Sequence, residues 1–160
     1  MSEKTNASRK LDSMKVQYKE YVYECPVAVS GVEVAEMLGL QPDNIFKTLV
    51  TTGKSGAHYV FMIPVAKELD LKKAAAHVGE KSIEMLKSKD LLSLTGYIHG
   101  GCSPIGMKKF FTTTIHSSSE QFETIIFSGG RIGYQIELSL STLSKVIKFS
   151  LTDLIKEENR

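Results

Sequence analysis

Residues 95–109, with the sequence TGYIHGGCSPIGMKK, concentrate the residue types best suited to chemistry in this 160-residue chain. Glycine leaves backbone N–H groups unobstructed and tolerates positive φ, at an entropic cost that a simple loop rarely accepts four times. Gly100 and Gly101 precede a hydroxyl at Ser103 and a rigid exit at Pro104. This combination predicts a backbone cradle for a carbonyl, hydroxyl or phosphate oxygen, with a wide turn between core elements as the alternative.

Cys102 and His99 lie in the same run and could form a nucleophile and its base. Small residues also fill such loops for steric reasons, and we expect His99 to be an ordinary exposed loop residue. The sequence therefore gives little support to a protein nucleophile. The remaining histidines and Cys25 stand at long spacings without a Cys-x-x-Cys pair, so we predict no metal site and no cofactor.

Lys47 interrupts an otherwise apolar strand pattern, IFKTLV at residues 45–50. With a period of two, Ile45, Lys47 and Leu49 share one face of that strand. An ammonium at the margin of a core needs a partner, and a ligand oxygen or phosphate would supply one. Lys47 is therefore a candidate ligand-binding residue, the alternative being a lysine that extends to water from an edge strand.

A second glycine pair, Gly129-Gly130, stands between a serine, Ser128, and a cation, Arg131. A two-residue hairpin turn is the ordinary explanation of such a pair. Because both glycine-rich segments combine a serine with a neighbouring cation, a pocket that they share is a second explanation. Neither segment has the glycine spacing of a phosphate loop or a dinucleotide-binding fingerprint.

Composition is typical of a globular protein, with 42% hydrophobic residues, 24% charged residues and a net charge of +2. No apolar run approaches the roughly 20 residues that cross a bilayer, and the polar N-terminal stretch does not resemble a signal peptide. We therefore expect a cytoplasmic protein without a membrane partner. Lysines are frequent in the middle third, where they could present a basic face to a phosphate backbone or simply a solvated helix face.

Short strands and helices follow one another along the chain and would position these residues. Strands are predicted over residues 16–24, 45–52, 58–65, 111–115, 124–128 and 134–138. Helices are predicted over residues 4–14 and after Ser30, Asp70, Ser82, Asp90 and Ser141. Residues 151–156 are expected to be amphipathic or disordered. The pattern predicts a single α/β domain over residues 1–160, with a mixed, largely antiparallel sheet and peripheral helices.

Four blocks resemble the YbaK/EbsC family, in matching order: FKTL at 46–49, residues 64–73, the run 95–109, and SGGRIGYQIEL at 128–138. The family comprises free-standing aminoacyl-tRNA deacylases, related to the editing domain inserted in bacterial prolyl-tRNA synthetases. Its best-known members remove cysteine mistakenly attached to proline tRNA. The resemblance spans about residues 16–155 and implies a compact α/β domain with a mixed, partly barrel-like sheet surrounded by helices.

The resemblance also implies the roles of individual residues. Lys47 would contact the terminal adenosine or the ester, with Gly101 and Ser103 as further catalytic residues. Substrate-binding roles would fall to the glycine loop, the opposite wall and an aromatic residue at the pocket edge: Gly100, Pro104, Ser128, Gly129, Gly130, Arg131 and Tyr23. The implied partner is the acceptor end of an aminoacyl-tRNA, and delivery by a prolyl-tRNA synthetase is left open.

An aminoacyl ester is already activated, so a site of this family can act by positioning it and stabilising the oxyanion. The resemblance implies that the substrate's own thiol attacks the ester carbon, which would spare proline. Two positions depart from the family pattern: Ile132 replaces a second basic residue, and Gln135 replaces a frequent aspartate. A deacylase for another small amino acid such as alanine, or a non-catalytic tRNA- or synthetase-binding module, are the alternatives.

Overall fold

The computed structural model describes residues 4–25 and 27–157. Within these ranges the helices are α1 (Asn6–Ser13), α2 (Gly31–Leu38), α3 (Leu71–Val78), α4 (Ser88–Thr95) and α5 (Leu140–Ser144). The strands are β1 (Lys19–Val22), β2 (Phe46–Gly53), β3 (His58–Pro64), β4 (Ile83–Met85), β5 (Thr112–His116), β6 (Ile125–Arg131), β7 (Tyr134–Leu138) and β8 (Ser150–Thr152). None of these helices has the length and apolar character to cross a membrane.

The strands form two sheets. One is antiparallel, in the order β1-β7-β6, and the other has the order β4-β2-β3-β5-β8. The pairs β3–β5 and β5–β8 are parallel, and the other pairs of the larger sheet are antiparallel. A parallel bridge between Ile45 and Ile126 links the sheets, and neither closes into a barrel over the described residues. The predicted mixed α/β class is confirmed, with the strands divided between two sheets.

The largest core cluster contains side chains of both sheets together with α1 and α5. It includes Leu11, Phe46, Ile115, Phe127 and Ile136, each no more than 2% exposed. Burying such side chains contributes about 1.5–3 kcal/mol apiece, so this cluster is the main source of rigidity at the centre of the molecule. The strand β2 is fixed there by its first residue, and this positions the residues that follow it.

Side-chain caps explain where α2 and α3 begin. The hydroxyl of Ser30 accepts a hydrogen bond from the Glu33 amide at 3.2 Å, and the Glu33 carboxylate accepts one from the Ser30 amide. Asp70 accepts from the first turn of α3 in the same way. Both helices end at glycines in the left-handed conformation, Gly39 and Gly79. The predicted boundaries of these helices are confirmed, because caps satisfy amides and carbonyls that the helix leaves free.

The segment after Ser82 was expected to be helical, and this prediction is wrong. Ile83–Met85 is the edge strand β4, paired with the end of β2. The Lys54 amide donates to the Ser82 carbonyl, and the Leu86 amide donates to the Val50 carbonyl, so backbone bonds fasten both ends of the strand. Burial of Ile83 against the α3 side of the sheet completes the strand and overrides local helix propensity.

The C-terminal segment also differs from the prediction, because Ser150–Thr152 forms the parallel strand β8 beside β5. Just beyond it, Leu154 is fully buried in the cluster under α3, and its amide donates to Nδ1 of His116 at 3.0 Å. Three residues are too few to show a strand pattern in sequence, and a distant partner supplies the pairing.

Candidate functional site

A cleft of about 470 Å³ lies along the outer edge of β2, within the usual range for ligand pockets. Its walls come from the start of α2, the β4–α4 connection, the loop after α4, and the β6–β7 hairpin: Phe46–Val50, Ser30, Gly31, Met85, Leu86, Leu91, His99, Gly100, Cys102, Ser128 and Gln135 among others. Residues from both predicted glycine-rich segments therefore line the same cleft as Lys47.

Lys47 is held opposite Ile63 in the β2–β3 pair, next to the buried Phe46. Its side chain is half-buried, and this burial lowers the pKa of the ammonium, while the charge of Glu68 acts in the opposite direction. Over residues 4–25 and 27–157, no hydrogen bond or ion pair reaches the ammonium. Lys47 therefore offers a ligand a cation that has no direct partner among the described residues.

The outer edge of β2 is open along the floor of the cleft. Neighbouring pairings flank it at the Ile45–Ile126 bridge and the Leu86–Val50 hydrogen bond. Alternate residues of a strand direct their backbone groups to the same edge, so Thr48 presents its N–H and C=O on the side of the Val50 carbonyl. The hydroxyl of Thr48 is buried and has no hydrogen-bond partner in the described chain. The floor thus supplies donors and acceptors to a bound molecule.

The loop after α4 and the end of β6 touch through their main chains. A Cβ on Gly101 would lie 2.9 Å from the Cα of Arg131, closer than side-chain carbons approach a backbone, so only glycine fits. The Gly101 amide donates to the Ile98 carbonyl at 3.0 Å. Within the described residues the amides of Gly100 and Cys102 donate to no protein group, and both residues line the cleft.

Ser103 and Pro104 lie elsewhere in the same loop. Ser103 is fully buried, and its hydroxyl accepts a hydrogen bond from the Ile105 amide at 3.3 Å. Pro104 lines a different cavity, beyond the loop. Ser103 thus stabilises the turn that shapes the loop, and neither side chain is among those that line the cleft around Lys47.

Ser128 and Gln135 face each other across the β6–β7 pair and both line the cleft. The Gln135 side-chain amide donates to the hydroxyl of Tyr23 at 3.1 Å, and burial raises the pKa of that phenol. Tyr23 is therefore connected to the cleft indirectly, by its hydrogen bond with Gln135. The sequence marked Gln135 only as a departure from the family pattern. The pairing of Gln135 with Ser128 in the hairpin was the signal that could have placed Gln135 in the site.

Gly129, Gly130 and Arg131 lie behind the cleft and are not among its lining residues. The Gly129 carbonyl accepts a hydrogen bond from the Thr5 hydroxyl, and the Gly130 amide donates to Ser128 Oγ at 3.2 Å. The Arg131 guanidinium lies over the Tyr134 ring, 5.0 Å from its centroid. These contacts fasten α1 and the hairpin against each other, so the three residues support the wall that Ser128 forms.

Cys102 and His99 both line the cleft, but no hydrogen bond joins them in the described structure. Cys102 is 8% exposed, and burial raises the pKa of its thiol to about 12. The group is therefore a neutral thiol near pH 7 rather than a nucleophilic thiolate. Over the described residues no three His, Cys, Asp or Glu side chains gather in a way that could hold a metal ion.

Known proteins with similar sequences carry editing domains. Residues 25–146 match the family model of the aminoacyl-tRNA editing domain. The chain is 45% identical to the Enterococcus faecalis protein named "Putative Cys-tRNA(Pro)/Cys-tRNA(Cys) deacylase EbsC", over 98% of this chain and 96% of that protein. A segment covering 47% of this chain is 31% identical to the proline–tRNA ligase of Thermosipho melanesiensis, of which it covers 13%.

Solved structures share the fold at lower sequence identity. One, described as "a putative trans-editing enzyme for prolyl tRNA synthetase", superposes with a TM-score of 0.83 at 21% identity, covering 98% of this chain and 100% of that chain. The hypothetical protein APE2540 superposes with a TM-score of 0.85 at 20% identity, covering 94% and 99%. The chain belongs to the family of aminoacyl-tRNA editing domains, and within it to the YbaK/EbsC proteins.

Proposed function

We propose that this protein is a free-standing aminoacyl-tRNA deacylase that removes cysteine from Cys-tRNA(Pro) in the cytoplasm. The observation that carries the proposal is the half-buried Lys47 ammonium, which has no ion pair or hydrogen bond among the described residues and lies in a cleft that Gly100 and Cys102 also line. The 45% identity to the E. faecalis protein over nearly the full chain supports this choice of substrate.

The cleft accepts the terminal adenosine and its amino acid, since about 470 Å³ leaves no room for a folded tRNA. Lys47 binds a phosphate or ester oxygen of this acceptor end. The Gly100 and Cys102 amides donate to the carbonyl oxygen as it gains negative charge, which is the interaction that most accelerates acyl transfer. Ser128 and Gln135 hold the polar groups of the substrate from the opposite wall.

The substrate supplies the nucleophile in this mechanism. The thiol sulfur of the esterified cysteine attacks its own carbonyl carbon, a C–S bond forms, and the C–O ester bond breaks. The thiol proton ends on the departing ribose oxygen, so the products are free tRNA and a cyclic thioester that water hydrolyses to cysteine. The buried, protonated Cys102 is consistent with this division of roles, because the protein then needs only to position and stabilise.

The test is a deacylation assay with tRNA(Pro) charged separately with cysteine, alanine or proline. We expect rapid loss of the cysteinyl ester and rates for the prolyl ester close to the uncatalysed rate. Equal loss of the alanyl and cysteinyl esters would rule out thiol assistance and favour a deacylase for small amino acids. Persistence of all three esters, with tRNA still bound, would show a non-catalytic binding module.

A prolyl-tRNA synthetase is a candidate partner for delivery of the charged tRNA. The similarity to an internal segment of proline–tRNA ligases concerns the shared domain and bears on ancestry rather than association. Adding a purified prolyl-tRNA synthetase to the assay measures the partnership directly. We expect a lower KM for Cys-tRNA(Pro) in its presence, and an unchanged KM would remove the synthetase as a partner.

A further inference from the structure

A second and larger cavity, about 580 Å³ in volume, adjoins the loop after α4. The side chains that form its apolar surface include Pro104, Met107, Phe110, Phe111, Val146 and Ile147. Two contacts hold the residues of its wall in place. The Tyr97 hydroxyl donates to the Ile105 carbonyl at 2.6 Å, and Phe111 packs edge-on against the His58 ring at a centroid distance of 5.7 Å.

Two lysines and an exposed aromatic ring stand at this cavity. Lys10 of α1 and Lys148, which follows α5, are both exposed and line it. In the described part of the chain neither ammonium has an ion pair or a hydrogen bond, and no acidic residue lines the cavity. Phe110 is 52% exposed and lines the cavity, so the face of its ring is accessible to a ligand.

We infer that this cavity binds a nucleotide of the RNA substrate, with the base on Phe110 and the phosphate between Lys10 and Lys148. An aromatic platform beside unpaired cations is the arrangement that holds single-stranded nucleic acid, because every base has a face that stacks and every link carries a negative charge. The inference rests on the proposed function for the presence of an RNA substrate.

The two cavities share one loop. Cys102 lines the cleft around Lys47 and Pro104 lines the second cavity, so their Cα atoms lie within about 7 Å of each other. The inference therefore places the last nucleotide of the strand in the cleft and a preceding nucleotide in the second cavity. This gives a protein with a net charge of only +2 a local means of holding RNA.

Fluorescence anisotropy with fluorescein-labelled, uncharged tRNA tests the inference without relying on catalysis. We expect Phe110→Leu to raise the Kd about tenfold, the loss expected for one stacked base. We expect Lys10→Gln and Lys148→Gln each to lower the slope of log Kd against log salt by about 0.7–0.9. Lys54→Gln removes an exposed charge from the β2–β3 turn, outside both cavities, and should change neither value.

Unchanged tRNA affinity in all three cavity variants would overturn the inference, whatever the deacylation assay shows. If these variants bound tRNA normally but no longer bound the synthetase, the inference would also be overturned, because the cavity would then be occupied by a protein. If the wild type binds tRNA through this cavity but leaves every ester intact, the inference stands and the proposed function fails.

NMR titration with AMP supplies a measurement that needs no variant. We expect amide shifts at Gly106, Met107 and Phe110 of 15N-labelled protein, and displacement of labelled tRNA by AMP at high concentration. Shifts confined to other parts of the chain would contradict the inference. AMP binding at these residues together with unaltered tRNA affinity in the variants would identify a free nucleotide as the ligand and overturn the assignment to RNA.

Discussion

Lys47 keeps a charge in surroundings that disfavour it, and this is the main electrostatic feature of the cleft. Burial lowers the pKa of its ammonium, and the only opposing contribution comes from Glu68. A ligand anion relieves the cost of burying the charge, so substrate and residue stabilise each other.

The lowered pKa of Lys47 is measurable by NMR titration of 13C-labelled lysine side chains. We expect Lys47 to titrate below the 10.5 of an unperturbed lysine, because its ammonium is half-buried. Addition of uncharged tRNA should raise the Lys47 value, because a bound phosphate favours the charged form. Titration of Lys47 at or above 10.5 would contradict the description of the cleft.

Cys102 and Cys25 should differ sharply in reactivity. Burial raises the Cys102 pKa to about 12 and hides its thiol, whereas Cys25 is only partly buried. In the native protein at pH 8 we expect iodoacetamide to modify Cys25 and spare Cys102, with both modified after denaturation. Deacylation should survive Cys102→Ala within about threefold, since the proposed mechanism gives this thiol no part in the reaction. Modification of native Cys102 as fast as Cys25 would contradict this.

The sequence patterns predicted Lys47 and Ser128 as site residues, and they did not predict Thr48 and Gln135, which line the same cleft. A lysine inside an apolar strand is conspicuous in the sequence itself. The apolar residues on either side of it show that burying its charge would cost free energy. Thr48 is a candidate binding residue only because no strand pairs with the outer edge of β2 at this position. The open edge depends on where β4 and Ile126 of β6 pair with the chain around β2. Such a role follows from tertiary arrangement and has no local signal.

The contact between the loop after α4 and the end of β6 fixes one wall of the cleft. We expect Gly101→Ala to push these segments apart and to lower kcat/KM by about 100-fold, the usual effect of a displacement near 1 Å. Gly56→Ala is the control. It alters a glycine at φ 95° in the β2–β3 turn, where an added Cβ meets nothing. We expect Gly56→Ala to lower the stability of the protein and to leave kcat/KM unchanged. An unaltered kcat/KM in Gly101→Ala would contradict the claim that this contact fixes a wall of the cleft.

The hydrogen bond between His116 and Leu154 makes the C-terminal segment sensitive to pH. Nδ1 of His116 must be unprotonated to accept the Leu154 amide at 3.0 Å. Burial lowers the His116 pKa from its usual 6.5, with Asp153 opposing and Lys73 reinforcing the shift. A lowered pKa means that this contribution to stability is complete above pH 6.5 and is lost as the pH falls through the lower, folded value.

Urea unfolding at pH 7.5 and pH 5.0 tests this contact. We expect the free energy of unfolding to fall more in the wild type than in His116→Gln, which retains a polar side chain but cannot titrate. At pH 7.5, His116→Leu should cost about 1–3 kcal/mol, because it leaves the Leu154 amide buried and unpaired. An identical pH dependence in wild type and His116→Gln would exclude the histidine as the cause.

Helices whose ends carry local sequence signals could be predicted, and the short strands could not. The caps at Ser30 and Asp70 and the glycines that follow α2 and α3 mark helix ends within a few residues. Strands β4 and β8 have three residues each, and both exist because a longer strand, β2 or β5, offers an open edge. Their formation is a tertiary event, so helix propensity misled the assignment after Ser82.

The whole molecule combines a rigid core between two sheets with two cavities that share the loop after α4. We propose that the cleft around Lys47 accepts the activated ester and that the neighbouring cavity, with its lysines and exposed ring, holds the RNA that carries it. Composition alone predicted neither cavity, because a net charge of +2 conceals where unpaired lysines lie. The ordered sequence blocks predicted the family and the fold class, since they span most of the chain.

Single-turnover deacylation of Cys-tRNA(Pro) by wild type, Lys47→Ala and the matched Lys54→Ala tests the central claim most directly. We expect Lys54→Ala to match the wild type and Lys47→Ala to lose about 100-fold in rate constant, because an ester that is misplaced by about 1 Å can react slower by that factor. Circular dichroism confirms that both variants are folded. Wild-type rates in folded Lys47→Ala would contradict the account, because the cation that defines the cleft would then play no part in the reaction.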